Sequence, residues 1–455
     1  MPKTSRSPRP RTRRPQADDR LHYRELTGLW LQWLQRPEYM PLDRWLRKHN
    51  TKGSALRQQP ALAQAMFQAQ RYLQLACALE HQQRQDSELS DAQWQQWDQQ
   101  WQPSHVEQLD AAHLWHWVQQ RCQENWRWPD GFRHYEQRAE IFRQFRDASQ
   151  RPLSAQWLLW HGIRPSWLSA LRQRQEYSHW SDAQLTHWLT QQSEAAPLWL
   201  RVNPIANSAQ LDQQTIYNEL LQEKISVQRR GEHLCAHGGR GIGIGMTNLY
   251  KAGVIEIQDL ASQHIVAAIK PQAGEKIWDA CAGAGGKTLA MASQMNNKGA
   301  IIATDLHDYK LAELKRRAKR GQLLNIRSFV WEGNDVLKLP KEIARQQGFD
   351  KVLIDAPCSS SGTWRRNPDA RWRFNEHDSQ ELIALQQRLL HLASQSVRPG
   401  GELFYATCSW QVEENEQQIA QFLQQNEGWQ LLQQTMLGAP EHDADTMFVA
   451  QLKRL

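Results

Sequence analysis

The sequence predicts an α/β protein. A Rossmann-like, doubly wound and mostly parallel sheet follows a small α+β module, and a helical N-terminal region precedes both. Three observations carry this. From about Glu256 onward, short apolar runs alternate with helix-length polar-apolar segments, the pattern of helical crossovers between parallel strands. Before about residue 195 glycine is scarce and apolar residues recur at spacings of three and four, which is helical. Two strand-like runs, Val352–Ile354 and Tyr405–Thr407, deliver a Cys to the strand-end edge where open α/β sheets bind ligands.

At 455 residues the chain is too long for one ordinary core. Hydrophobic residues at 40% and charged ones at 23% describe a globular chain. No apolar run approaches the roughly 20 residues that span a bilayer, so no membrane partner is expected. The stretch from Met1 to Pro15 is rich in Arg and Pro without an apolar core, so residues 1–20 read as a disordered basic arm rather than a secretory signal. A net charge of +7 and a pI near 9.1 favour a polyanionic partner. Cys77, Cys122, Cys235, Cys281, Cys358 and Cys408 show neither disulfide nor metal-ligand spacing, and a reducing cytoplasmic setting is expected.

Residues 21–195 read as a helical bundle, possessing apolar periodicity over Leu26–Leu34 and Ala61–Leu79. Most of the 22 tryptophans lie before residue 200, and at helical spacing they are core fillers. The segment Gln85–Trp128 reads as a separate helical hairpin or an insertion. Over 196–265 the character changes to an α+β adaptor, opening on a strand-like run that ends at Asn203-Pro204. Gly238, Gly239, Gly241, Gly243 and Gly245 are too irregularly placed for a phosphate loop. Residues 266–455 form the sheet domain, with strands expected at Lys276–Ala280, Ala300–Thr304, Ile326–Val330, Lys351–Ile354 and Glu402–Ala406. Met447–Leu452 is expected as a late antiparallel edge.

Between the first two strands of that domain runs Asp279-Ala280-Cys281-Ala282-Gly283-Ala284-Gly285-Gly286-Lys287-Thr288, a Gly-rich turn opening a helix. Glycine lets backbone approach a ligand closely, and the helix start offers unpaired N–H groups. Asp305 closes the next strand, where a carboxylate can accept from ribose hydroxyls. Asp335 and Asp355 follow the third and fourth strands, and together these features indicate an adenosine-type cofactor. Asp335 is placed to meet an adenine amino group or to cap a helix over Val336–Leu339. The Lys spacing is not that of a Walker loop, which disfavours ATP hydrolysis.

Taken with Asp355-Ala356-Pro357-Cys358-Ser359-Ser360-Ser361-Gly362-Thr363, Asn367-Pro368-Asp369, Ala406-Thr407-Cys408-Ser409 and Glu413-Glu414-Asn415-Glu416, the chain from about 196 to 455 resembles the RsmB/NOP/Sun-like RNA cytosine-C5 methyltransferases. The resemblance implies a class I methyltransferase domain, S-adenosyl-L-methionine as cofactor, and an RNA substrate, ribosomal RNA first and transfer RNA second. It implies binding of the cofactor by Cys281, Ala282, Gly283, Ala284, Gly285, Gly286, Lys287, Asp305, Asp335 and Asp355; a monomer is expected. Cys408 would be the nucleophile, Cys358 would assist release of the RNA, and Asp355 would steady the activated ring.

The chemistry needs such a nucleophile, because carbon 5 of cytosine becomes nucleophilic only after a thiolate adds to carbon 6. The target base must be unpaired or flipped. Trp364-Arg365-Arg366, Arg371-Trp372-Arg373 and the run Lys315–Arg320 are expected to offer charge and aromatic faces to the RNA. The family's usual Ala-Ala-Pro-Gly-Gly-Lys loop here reads Ala282–Lys287 with Gly283 and Ala284, which should loosen the turn. Its usual Asp-Gly-Phe reads Asp445-Thr446-Met447-Phe448. A DNA-type enzyme with Cys358 as nucleophile is disfavoured by the second thiol. An inactive ribosome-assembly factor is disfavoured by the presence of both Cys, Asp355 and Lys287.

Overall fold

The apolar runs of the C-terminal half need no polar alternation, because parallel strands are covered on both faces. The computed structural model describes residues 23–455 apart from 37, 39, 86, 124–134, 237–242 and the side chain of 376. Gly238, Gly239 and Gly241 therefore lie outside the described residues. Two sheets are present among those described. The smaller holds β1 (Leu198–Val202), β2 (Val227–Arg230), β3 (His233–Ala236) and β4 (Ile255–Ile257). Its order is β2-β3-β1-β4, antiparallel throughout, and its core includes Ile216 and Leu220 of the helix Gln213–Gln222.

The larger sheet holds β5 (Lys276–Asp279), β6 (Ala300–Asp305), β7 (Ile326–Val330), β8 (Phe349–Asp355), β9 (Val397–Thr407), β10 (Trp429–Gly438) and β11 (Thr446–Arg454). Its order is β10-β11-β9-β8-β5-β6-β7. The five strands from β9 to β7 run parallel, while β11 is antiparallel to both β9 and β10. The chain moves outward from β5 through β6 to β7, then returns to lay β8 on the other side of β5. That reversal opens a crevice at the strand C-termini. The Gly-rich turn leaves β5 there, and the Cys358 and Cys408 loops leave β8 and β9 there.

Two expectations need correction. The strand expected over Met447–Leu452 is antiparallel, but β10 lies outside it and is the true edge. The run Trp429–Gly438 is rich in Gln and mostly solvent-facing, so it shows little of the apolar signal of a strand. β9 begins five residues earlier than Glu402 because Pro399, Gly400 and Gly401, residues that ordinarily punctuate a turn, sit within it at a register shift against β8.

The chain divides into two compact units, Met1–Gln68 and Ala69–Leu455. In the first, the helices Tyr23–Leu34 and Leu42–His49 bring Trp33 and Trp45 edge to face at 5.7 Å. In the second, the helices Asp91–Gln100 and Ala111–Cys122 do not stand apart as a separate hairpin. The buried Asp98 accepts from Gln74, from Arg164 at 3.0 Å and from the Ser166 amide at 2.7 Å, which ties the segment into its neighbours. Trp157, Leu185 and Trp188 share one apolar core with Trp278, Val352, Tyr405 and Trp410 of the sheet domain. The fully buried Arg174 forks onto Glu416 at 2.6 and 2.7 Å and donates to the Trp410 carbonyl. No described helix is long and apolar enough to cross a membrane.

Candidate active site

The turn after β5 is built by its glycines. Gly283 and Gly285 take φ of +56° and +87°, where a Cβ is strained, and a Cβ on Gly285 would also lie 2.7 Å from Leu314 Cγ. A Cβ on Gly283 or Gly286 would meet open space, so the concave side of the turn is clear. Asp305 at the end of β6 accepts the Gly283 amide at 2.9 Å and the His307 amide at 2.9 Å. It thus shapes the turn and stands beside it. Cys281 and Ala282 lead into the turn, with the Ala282 amide bonded to the Thr304 carbonyl. The Ala284 carbonyl accepts Arg317 at 2.8 Å, and Arg317 and Arg320 both pair with the buried Glu256. Two arginines of the Lys315–Arg320 run are thereby held inward, leaving Lys315, Arg316 and Lys319 exposed.

Asp279, at the end of β5, was not among the expected cofactor residues. It is buried, Thr288 Oγ1 donates to its Oδ2 at 2.6 Å, and its Oδ1 has no hydrogen-bond partner among the described residues. Burial pushes its carboxyl up to about 7. An orphaned acceptor beside a cleared Gly-rich turn fits a ligand carrying an amino group and a nucleoside. Asp335 is exposed on the loop after β7, and Val336–Leu339 form no helix, so its helix-capping alternative does not hold. Its carbonyl instead accepts Trp331 Nε1 at 2.9 Å.

Lys287, in the first turn of the helix Gly286–Gln294, reaches across the crevice to Asp355 Oδ2 at 2.6 Å. It is buried, and the carboxylate more than offsets that burial, so its pKa lies above the ordinary lysine value. Beyond this pair the two thiols meet: Cys358 Sγ and Cys408 Sγ are 3.4 Å apart. A hydrogen bond from Cys358 holds the Cys408 thiol below its ordinary pKa against burial, and Ser360 and the Lys287 charge act in the same direction. Cys358 is held well above, because it shares that bond, is buried and lies near Glu414. Of the two, Cys408 is the sulfur that gives up its proton more readily.

A buried network that sequence reasoning missed holds the two loops together. Glu414 Oε1 accepts the Ser359 amide at 2.8 Å and Gln386 at 3.0 Å, while its Oε2 accepts the Ser359 hydroxyl at 2.6 Å. Asn415 accepts from Thr407 at 2.5 Å and donates to the Ser409 carbonyl at 2.9 Å. The signal was present as a carboxylate and amide pair shortly after the Thr-Cys-Ser run, but nothing in the spacing says which loop it clasps.

The aromatic and basic groups expected to meet RNA mostly turn inward. Trp364 is buried against Trp167 and Trp410 at 4.9 and 5.9 Å. The buried Arg365 donates to the Glu194 and Ala195 carbonyls, and the buried Arg371 donates to that of Gly162. Trp372 donates to the Gln70 carbonyl at 2.6 Å. These side chains bind the helical region to the sheet domain. Arg366 is the exception nearest the thiols: it is partly exposed, pairs with Asp259 at 3.0 Å and with Asp445, and interacts with Cys408. Thr446, where a Gly was expected, opens β11 and accepts Trp188 Nε1 at 2.8 Å.

Strand order, Gly-rich turn and strand-end acids define a class I methyltransferase domain. The same fold is found in the solved structure of PH0851, with a TM-score of 0.65 at 22% identity over 94% of this chain and 97% of that one. A methyltransferase homolog protein from Pyrococcus horikoshii superposes with a TM-score of 0.51 at 25% identity, over 66% of this chain and 97% of that one. Residues 266–453 match the family described as 16S rRNA methyltransferase RsmB/F, and this region is similar to that family. The ribosomal RNA small subunit methyltransferase B proteins of Yersinia pseudotuberculosis serotype O:1b and of Yersinia pestis are each 33% identical over 302 residues. Those alignments cover 64% of this chain, and it spans 66% of the relatives' length. The adenosine-type cofactor expected from the Gly-rich turn is S-adenosylmethionine.

Proposed function

We propose that this protein methylates carbon 5 of a cytosine in RNA, with ribosomal RNA as the substrate, through a covalent bond between Cys408 and the base. The observation that carries the reading is the pair of thiols 3.4 Å apart at the ends of adjacent strands, beside the Lys287–Asp355 pair. The names of the Yersinia relatives favour ribosomal RNA over transfer RNA.

Cys408 adds its sulfur to carbon 6 of the cytosine, and the electron pair of the 5,6 double bond moves toward carbon 5 and the ring nitrogen. As the ring nitrogen gains electron density it takes up a proton relayed through Asp355 from the Lys287 ammonium, so the Lys287–Asp355 pair steadies the activated ring. When bound, S-adenosylmethionine supplies an electrophilic methyl group. The Gly-rich turn, Asp279 and Asp305 would hold the cofactor, while Asp335 stands on the neighbouring loop. The carbon 5 proton is then lost to solvent as the carbon 6–sulfur bond breaks, its electron pair returning to sulfur as the thiolate and the ring-nitrogen proton returning to the Lys287–Asp355 pair. Cys358, kept protonated, is placed to assist that release.

The test is transfer of a labelled methyl group from S-adenosylmethionine to separated pools of small-subunit ribosomal RNA and transfer RNA, followed by nucleoside mass spectrometry. The reading expects 5-methylcytidine in the ribosomal pool. Label at another position, or no transfer and no cofactor binding, contradicts it.

A further inference from the structure

The two sulfurs that meet at 3.4 Å also lie within reach of a covalent bond. β8 and β9 run parallel with Asp355 opposite Ala406, at the ordinary strand spacing of about 4.8 Å, and the chain beyond them stays together. One residue past each Cys, the Ser359 and Ser409 hydroxyls meet at 3.2 Å. Ser361 Oγ meets Ser409 Oγ at 2.9 Å and accepts the Trp410 amide at 3.0 Å, and the Gly362 amide donates to the Cys408 carbonyl at 2.9 Å. Glu414, on the loop after Cys408, accepts the Ser359 amide at 2.8 Å and its hydroxyl at 2.6 Å. A disulfide needs Cα atoms roughly 4.4–6.8 Å apart and sulfurs at about 2.05 Å, so with the loops held side by side the sulfurs have only roughly 1.4 Å to travel. Both Cys residues keep partial exposure at the crevice, which gives a small oxidant access.

We propose that Cys358 and Cys408 form an oxidative modification site, at which hydrogen peroxide converts the two thiols into a reversible disulfide. The Cys408 thiolate attacks one peroxide oxygen: a sulfur–oxygen bond forms, the oxygen–oxygen bond breaks and hydroxide leaves, giving a sulfenic acid. The Cys358 sulfur then attacks the Cys408 sulfur. The sulfur–sulfur bond forms, the sulfur–oxygen bond breaks, and the Cys358 proton departs with that oxygen as water. Each sulfur has then lost one electron, and the peroxide has gained two. The order of events fits the pair, since Cys408 gives up its proton more readily and the thiolate is the attacking form. A sulfenic acid left alone is open to oxidation to sulfinic acid, which thiols do not reverse. A neighbouring Cys358 diverts it into a disulfide that dithiol exchange returns to two thiols. While the bond stands, the Cys408 sulfur is unavailable to carbon 6 of a base. That consequence rests on the proposed role of Cys408 as nucleophile, whereas formation of the bond does not.

The experiment exposes the full chain, without RNA, to a molar excess of hydrogen peroxide and then blocks the remaining thiols with N-ethylmaleimide after denaturation. Mass spectrometry reads the intact protein and its non-reduced tryptic peptides, before and after dithiothreitol. Wild type is expected to lose two of its six maleimide additions, to yield the Cys358 and Cys408 peptides linked to each other, and to regain both additions on reduction. Cys358→Ala and Cys408→Ala should each give no linked pair, and in Cys358→Ala the Cys408 sulfur should accumulate as sulfinic acid that dithiothreitol does not restore. The wild-type result stands whether or not either variant folds. Six maleimide additions in oxidised wild type, sulfinic acid at Cys408 without a linked pair, or a disulfide from either Cys to a different partner overturns the inference. Activity is not read, so a failed methyl-transfer assay counts against the proposed function alone.

Discussion

One carboxyl and two thiols in one crevice are moved from their ordinary pKa values by their surroundings. Asp279 shows the sign most simply. Burial raises its folded pKa from 3.8 to about 7, so the folded chain keeps a proton the unfolded chain has lost. Stability from this group therefore declines as pH rises between those values, and a ligand that pairs with the ionised form binds better near the top of that window. S-adenosylmethionine should accordingly bind more tightly at about pH 8 than at about pH 6, and Asp279→Asn should weaken binding roughly tenfold and flatten that dependence. Calorimetric titration at the two pH values checks this; an unchanged slope in the variant would remove Asp279 from the cofactor site. For Cys408 the sign is opposite, while Cys358, held high, shares the sign of Asp279. Cys408 is held low, so its thiolate is lost only as pH falls through the depressed value, and Cys358→Ala, which removes the donor, should move the acid limb of Cys408 alkylation upward. The identities of Cys408, Cys358, Lys287 and Asp355 were legible in the sequence from motif context. Their hydrogen bonds were not, because spacing along the chain carries no information about which side-chain atoms meet.

At the scale of elements, the loops that carry the thiols are stiff because buried polar groups tie them to one another and to the helical region. Arg174, fully buried, is forked onto Glu416, which lies two residues along the chain from Glu414 of the clasp. Removing one member of a buried pair leaves an uncompensated charge, at a cost of about 3–5 kcal/mol. Arg174→Ala should therefore lower the melting temperature and slow Cys408 alkylation together; a normal melt would show that water reaches Glu416 and relieves it. The five parallel strands were readable because apolar runs separated by helix-length segments leave few alternatives. β10 was not, since an antiparallel edge strand with mostly exposed side chains lacks that signature. The Trp364 and Arg371 segments were misread for a related reason. Charged and aromatic residues near a site look like a binding face, yet here the arginines satisfy backbone carbonyls and the tryptophans fill a core.

For the whole molecule, the helices between Ala155 and Gln191 share the core of the sheet domain. Residues 196–455 alone would expose the surface now covered by Trp157, Trp167 and Trp188, an apolar patch of the kind that drives association. Expressed without residues 1–195, the chain should elute from gel filtration as aggregate, whereas the full chain should not; a well-behaved fragment that binds S-adenosylmethionine would show that the helical region contributes no essential core. We propose that the basic balance of the chain, rather than the buried arginines, draws in the RNA. A direct test of the central claim is the capture of a covalent protein–RNA adduct. Wild type, Cys358→Ala, Cys408→Ala and the double variant are each incubated at about pH 8 with ribosomal RNA and S-adenosylmethionine and resolved on a denaturing gel. Cys358→Ala should accumulate the adduct, and it should vanish when Cys408 is also replaced. An adduct that depends on Cys358 instead, or none with any variant, would contradict the account.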